Sequence, residues 1–234
     1  TMSFEPLTEE RIETDSTYDA GTTTQLMWGA RSDVGCVRPH NEDSYLVQSP
    51  LFCVCDGMGG HAAGEVASSI AVETIAKTAP QSADAARLAA AVEAANAAVI
   101  EAALNGLGKP GMGCTATCAY IENDTLAIAH VGDSRAYLLH EGTLIRVTRD
   151  HSYVEELVDA GEITADEARV HPNRSVITRA LGSDPAMYAD HFTLHIEEGD
   201  RLILCSDGLS SMIPDSDIEN IATQSSTAQI CVDN

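Results

Sequence analysis

The chain has 234 residues, 44% of them hydrophobic, and its 36 acidic and 13 basic side chains give a formal net charge of −23 at pH 7. That composition excludes a chain disordered throughout, and the charge argues against a nucleic-acid partner, because phosphate contacts need a basic face. No run approaches the ~18 consecutive apolar residues of a membrane span, and the polar, acidic N-terminus lacks the basic and apolar regions of a signal peptide, so a cytoplasmic location is expected.

In chain order, residues 1–24 read as a mobile acidic tail, with "GTTTQ" leading into the first strand. "LMWGARSDVG" and "DSYLVQS" read as strands around the polar turn "RPHNE", and "LFCVC" reads as a buried strand. Residues 63–79 have helical spacing and stop before Pro80; 83–106 is a long Ala-rich helix with Gly106 as its stop. After the glycine-broken loop "GLGKPGMG", strand signals cluster in "CTATCAYIE", "TLAIAHVG", "SRAYLLHEG" and "LIRVT", with Asn123-Asp124 and Glu141-Gly142 as hairpin turns. A helical region runs from about 151 to 170. "SVITRAL", "HFTLHIEEGD" and "RLILCS" return to strands, and "DSDIENIAT" opens a helix with an acidic first turn. Long helices come in adjacent pairs, not one after each strand. That pattern predicts an α+β domain of antiparallel sheets with helices packed outside.

The seven cysteines are odd in number, and Cys53, Cys55, Cys114, Cys118 and Cys205 sit in apolar runs. They are expected to be reduced, buried thiols rather than a disulfide framework. No zinc-type CxxC pair occurs, which argues against the alternative of Cys53 with Cys55, or Cys114 with Cys118, as metal ligands.

One device is repeated. "LFCVCDGMGG", "LAIAHVGDSRAYLL" and "RLILCSDGLS" each drive a carboxylate (Asp56, Asp133, Asp207) out of the end of an apolar strand beside a glycine, and Glu42-Asp43 stands at a fourth strand start. A carboxylate at a buried strand end loses hydration unless it is paired or metal-bound. Any one of these residues could be a turn former. Several converging without enough basic partners favour a hard divalent cation, Mg²⁺ or Mn²⁺, with oxygen ligands. Arg38, four residues before Glu42, suits either a surface ion pair or a fork for phosphate oxygens. Together these residues suggest a two-metal phosphoester hydrolase with a side-chain phosphate clamp.

The blocks "RPHNEDS", "DGMGGHAAGEVAS", "GMGCTAT", "HVGDSRAYLL", "TRDHSYVEELVDAGEIT", "HPNRSVITRALG" and "GDRLILCSDGLS" resemble, in order and wording, the bacterial metal-dependent serine/threonine protein phosphatases of the type 2C (PPM) family, from about residue 27 to 219. The resemblance implies a central β-sandwich of two antiparallel sheets flanked by helix pairs on both outer faces, a four-layer αββα arrangement. It implies two Mn²⁺ or Mg²⁺ ions with a possible third. Asp56 would bridge the two ions, the Gly57 carbonyl and Glu42 would serve the second, Asp207 the first, and Asp133 with Asp207 the third. Asp43 would orient water and Arg38 would bind phosphate, while the segment 151–181 resembles a flap beside the site. Met58 stands where eukaryotic relatives carry a histidine general acid, and His61 is the nearest substitute.

The resemblance further implies hydrolysis of phosphoserine and phosphothreonine on proteins, in opposition to a serine/threonine kinase. The catalytic domain, residues 25–234, is expected to act as a monomer without membrane contact. The family carries an Asp-Asn pair and a final strand near its end. Asp233 in "ICVDN" follows Asp207 too closely to match that pair, so it is expected in a helix, with the last strand missing and metal binding and activity weakened. A catalytically weak phosphoprotein-binding regulatory module is the alternative, and a nuclease is disfavoured by the charge. "DGMGGH" lacks the GK[ST] of a P-loop.

Overall fold

The computed structural model describes residues 16–23, 26–60 and 63–234. Its framework follows from strands that bury both faces. In β4 (Leu51–Met58), Leu51, Cys53 and Cys55 are fully buried on one face, while Phe52, Val54 and Asp56 point the other way and are half-buried. The large sheet has the order β10 (Asp190–His195), β7 (Thr125–Val131), β6 (Ala116–Glu122), β4 and β3 (Asp43–Gln48), with β5 (Gly113–Cys114) added to the end of β4. The second sheet has the order β11 (Arg201–Cys205), β8 (Arg135–His140) and β9 (Thr143–Arg146). Neighbouring strands are antiparallel throughout.

Between the sheets lies an apolar layer of Ala119, Leu126, Ile128 and Ala136, joined by Phe192, Leu194, Leu202 and Leu204. Outside the large sheet, α1 (Ala63–Thr78) and α2 (Ala85–Leu104) bury a face of Ala67, Ala71, Ile75, Leu88, Val92, Ala95 and Val99 against Leu51, Cys53, Cys55, Cys118 and Ala129. Full burial of each larger aliphatic contributes about 1.5–3 kcal/mol, and the alanines let the helices lie close to the sheet. Asp84 caps α2 by accepting the Arg87 N–H. On the opposite side, Ile218 of α6 (Asp215–Gln224) joins Tyr137 and Cys205 of the small sheet. There too, α7 (Ala228–Asp233) rests on a hairpin of β1 (Ser16–Thr22) and β2 (Met27–Asp33). Gly29 permits that approach, since a Cβ there would lie 2.6 Å from the Gln229 nitrogen. The layers run helix, sheet, sheet, helix, as expected.

Three details differ from or refine the sequence reading. Residues 1–24 read as a tail, yet Ser16–Thr22 pairs with Met27–Asp33. "SVITRAL", predicted as a strand, is not one: it carries only isolated bridges, Ile177 with Ser152 and Leu181 with Cys114. Its β-branched residues serve as single contacts on a wall. The helical region from 151 to 170 splits into α3 (Tyr153–Asp159) and α4 (Ala165–Val170), capped by Ser152 and Thr164. The remaining helix, α5 (Asp207–Ser210), is one turn that begins at Asp207.

The five cysteines read as buried thiols are buried and free. Asp233 closes α7, where its Oδ1 accepts the Gln229 side-chain amide at 3.0 Å. Among the described residues no helix is long and apolar enough to cross a membrane.

Candidate metal centre

Three strand ends meet at one end of the sandwich. Asp56 lies near the end of β4, Asp133 in the turn between β7 and β8, and Asp207 just after β11. One carboxylate oxygen from each lies within 4.8 Å of the others. Two glycines beside these carboxylates act differently. Gly132 sits at φ +104°, a left-handed conformation that turns the chain at the end of β7 and leaves Asp133 inside. Gly57 admits α1, since a Cβ there would press on the Gly64 carbonyl and lie 2.5 Å from the Glu42 carbonyl oxygen. The Gly57 N–H donates to that Glu42 carbonyl at 3.1 Å, which fixes the Glu42 segment beside β4.

The electrostatics are unfavourable as they stand. Burial first, then the charges of Asp43 and Asp207, push the Asp56 carboxyl up to about 10. Burial first, then Asp207 and Asp150, push Asp133 up to about 7. Asp43 is raised too, mainly by burial, although the Ser206 hydroxyl, donating to its Oδ2 at 2.8 Å, pulls the other way. Asp133 Oδ1 is buried with no hydrogen-bond partner. An all-oxygen donor set, a buried acceptor without a donor and mutual repulsion fit a hard divalent cation.

Beside the carboxylates is a cleft of about 390 Å³, lined by Arg38, His40, Glu42, Asp56, Gly57, Ser175, Ile177 and Asp207 among others. Arg38 lines the cleft, and its charge acts on the Asp43 carboxyl. Of the residues singled out from sequence, Asp56, Asp133 and Asp207 form the three-carboxylate cluster. Glu42, Gly57 and Arg38 line the cleft, and Asp43 stands opposite Asp56 on β3. His61 lies outside the described residues.

Sequence reading missed the support beneath these groups. The Thr115 hydroxyl accepts the Asp56 N–H at 3.0 Å and lies 2.6 Å from the Ser134 hydroxyl, which ties β4 to the Asp133 turn. Arg135 forks onto Asp150, with Nε at 3.0 Å from Oδ1 and Nη2 at 2.8 Å from Oδ2. The signal was present as polar residues inside apolar runs: Thr115 in "GCTAT", Ser134 in "GDSRAYLL". His40, given no role from sequence, lines the cleft.

The profile of the family described as Protein phosphatase 2C matches residues 29–231. The chain belongs to the protein phosphatase 2C family. It is 43% identical over 205 residues to the serine/threonine protein phosphatase PstP of Mycobacterium tuberculosis (strain H37Rv), a match covering 85% of this chain and 39% of that one. The chain thus spans about two-fifths of the length of this relative. It is 38% identical over 203 residues to the serine/threonine phosphatase stp of Listeria monocytogenes, covering 82% of this chain and 81% of that one. Among solved structures, that of Mycobacterium tuberculosis PstP/Ppp superposes with a TM-score of 0.81 at 38% identity, covering 92% of this chain and 88% of that one. The catalytic domain of PstP in complex with two manganese ions gives 0.77 at 35% identity, covering 93% and 88%. The recognised motifs and the sandwich with its flanking helices therefore agree with the family's fold.

Proposed function

We propose that this type 2C family member is a metal-dependent phosphatase that removes phosphate from phosphoserine and phosphothreonine on proteins. The observation that carries the reading is the meeting of Asp56, Asp133 and Asp207 at one edge of a cleft that also presents Arg38. Relatives named serine/threonine phosphatases, and a neighbouring structure with two manganese ions, support the same chemistry here. In this reading Asp56, Asp133 and Asp207, with Glu42 and the Gly57 carbonyl at the rim, hold Mn²⁺ or Mg²⁺. Once bound, such ions would offset the clustered charge and would supply activation of water for attack on phosphorus. Arg38 forks two phosphate oxygens and orients the ester. Asp43, held by Ser206, orients water within the cleft. The substrates are phosphoproteins, and the chain opposes a serine/threonine kinase.

The test is turnover of p-nitrophenyl phosphate and of a phosphothreonine peptide with Mn²⁺ and with chelator, for the parent and Asp56→Asn. Hydrolysis that needs Mn²⁺ and disappears in Asp56→Asn is expected. Hydrolysis indifferent to chelator, or retained by Asp56→Asn, overturns the reading.

A further inference from the structure

Ser68 belongs to the buried face of α1, in company with Ala63, Ala67, Ala71 and Ile75, and it is itself fully buried. Alanine would suit this face better, since it favours the helix more and buries no hydroxyl. The hydroxyl is accounted for by its partners. It donates to the Glu42 carbonyl at 2.7 Å and stands 3.2 Å from the Glu65 carbonyl, while Ser44 Oγ lies 2.8 Å away. A hydroxyl has a single proton to give. The shorter contact to Glu42 takes it, so the Ser44 hydroxyl donates to Ser68.

The Glu42 carbonyl also accepts the Gly57 N–H at 3.1 Å. Both of its lone pairs are thus used, one by α1 and one by β4. The next residue, Asp43, is fixed by its N–H on Asn41 Oδ1 at 3.0 Å. The Glu42 side chain rests on the same helix, because a Cβ on Gly64 would lie 2.9 Å from the Glu42 carboxyl carbon. Gly64 and Ser68 stand one turn apart, on one face of α1. That face therefore seats both ends of Glu42: the glycine admits its carboxyl group and the serine holds its carbonyl. Glu42 in turn lines the cleft with Asp56 and Asp207.

We propose that Ser68 is a positioning residue for the metal centre, fixing the Glu42 backbone on α1 so that the Glu42 carboxylate is already in place when a divalent cation arrives. This inference rests on the phosphatase reading above, in which Glu42 serves a cation. Ser68 acts only through Glu42. Without its hydroxyl the Glu42 carbonyl keeps the Gly57 bond alone, the segment before β3 gains freedom, and the cation has to order it on binding. Groups that support metal ligands set affinity in this way, and loss of one typically weakens binding by about 10–100-fold.

The test is a double-mutant cycle on Mn²⁺ affinity, with the parent, Ser68→Ala, Glu42→Gln and the double variant of the full chain. Free Mn²⁺ is followed by electron paramagnetic resonance as MnCl₂ is titrated in, a measurement that needs no turnover. Ser68→Ala is expected to weaken one class of Mn²⁺ site by about tenfold. Glu42→Gln weakens the same class. Adding Ser68→Ala to Glu42→Gln then changes the affinity by less than about twofold, because the serine has nothing left to position. Equal weakening by Ser68→Ala in both backgrounds overturns the proposal. So does parent-like Mn²⁺ affinity in Ser68→Ala, whatever its melting temperature in chelator, since that is the result of a purely structural hydroxyl. If Ser68→Ala does not fold, Ser44→Ala decides through the same cycle: it lets the Ser68 proton swing to the Glu65 carbonyl, and a smaller loss of about threefold is expected. If the parent binds Mn²⁺ yet hydrolyses neither substrate, the phosphatase reading falls and the cycle still decides the role of Ser68.

Discussion

Asp43 and Asp56 stand directly opposite each other as register partners on adjacent antiparallel strands. Like charges in that relation destabilise a sheet, and burial strengthens the repulsion. The carboxyl of Asp56 responds by holding its proton, up to about 10. Stability is thus given up at this position for a site that a cation completes. Asp56→Asn is therefore expected to raise the melting temperature in chelator, to remove the stabilisation that Mn²⁺ confers on the parent, and to abolish turnover. Thermal melts with and without Mn²⁺ check it; a variant that melts below the parent in chelator contradicts the repulsion argument.

The same residues set a pH dependence, and its sign is fixed. The unfolded carboxyls have the ordinary value of 3.8, whereas burial and neighbouring carboxylates push folded Asp56 up to about 10 and folded Asp133 up to about 7. Between those limits the folded state binds more protons than the unfolded one, so stability falls as pH rises. The contribution is fully present below 3.8, Asp133's share is lost through about 7, and Asp56's through about 10. In chelator, denaturant midpoints should decline from pH 5 towards pH 9, and saturating Mn²⁺ should flatten the decline. A midpoint that climbs over that range without metal sinks the account.

Much of this was legible in the sequence because its signals are local. A continuous apolar run ending in a carboxylate beside a glycine identifies Asp56, and the same device identifies Asp207 and Asp133. Their convergence was an inference, since the turn after β7 and the end of β11 belong to different sheets and meet only when the sandwich closes. The Ser175–Leu181 stretch looked like a strand because Val176, Ile177 and Thr178 favour extended backbone. Strand preference depends on a partner edge, and here only single bridges to Ser152 and Cys114 exist. Thr115, Ser134 and His151 were overlooked for a related reason. Their partners are 59, 19 and 39 residues away, and a hydroxyl or imidazole does not name its partner.

Gly57 tests how tightly the cleft depends on close backbone approach. A Cβ there would collide with the Gly64 carbonyl at the start of α1 and lie 2.5 Å from the Glu42 carbonyl. Neither neighbour is a flexible side-chain end, so α1 or the Glu42 segment must move. Gly57→Ala is expected to cost about 3 kcal/mol or more in urea unfolding and to weaken Mn²⁺ activation, because Glu42 and Asp56 shift relative to each other. Gly60→Ala is the control: its φ of +64° makes alanine strained, but nothing lies within 4 Å of the added carbon, so its cost should be confined to about 1–2 kcal/mol. Equal losses for the two substitutions would remove the packing argument.

The last prediction concerns the charge behind Asp133. Arg135 forks onto Asp150 and donates through Nη1 to the Tyr137 hydroxyl at 2.9 Å, and that hydroxyl donates to Asp215 Oδ1 at 2.8 Å. The Asp150 side chain is 7% exposed and pairs with the guanidinium. Arg135→Met leaves Asp150 buried and unpaired, which is expected to cost about 3–5 kcal/mol. It also removes a cation that pulls the Asp133 carboxyl down while keeping the Asp150 charge that pushes it up. Arg135→Met should therefore lose stability and need more Mn²⁺ for half-maximal activity. Adding Asp150→Leu removes the orphaned charge, so the double variant should recover most of the stability, because replacing both partners of a buried pair is far milder than replacing one. Urea melts of the parent, the two single variants and the double variant give the coupling energy directly. A double variant no more stable than Arg135→Met would mean that packing of the guanidinium, rather than its pairing with Asp150, holds this end of the sandwich.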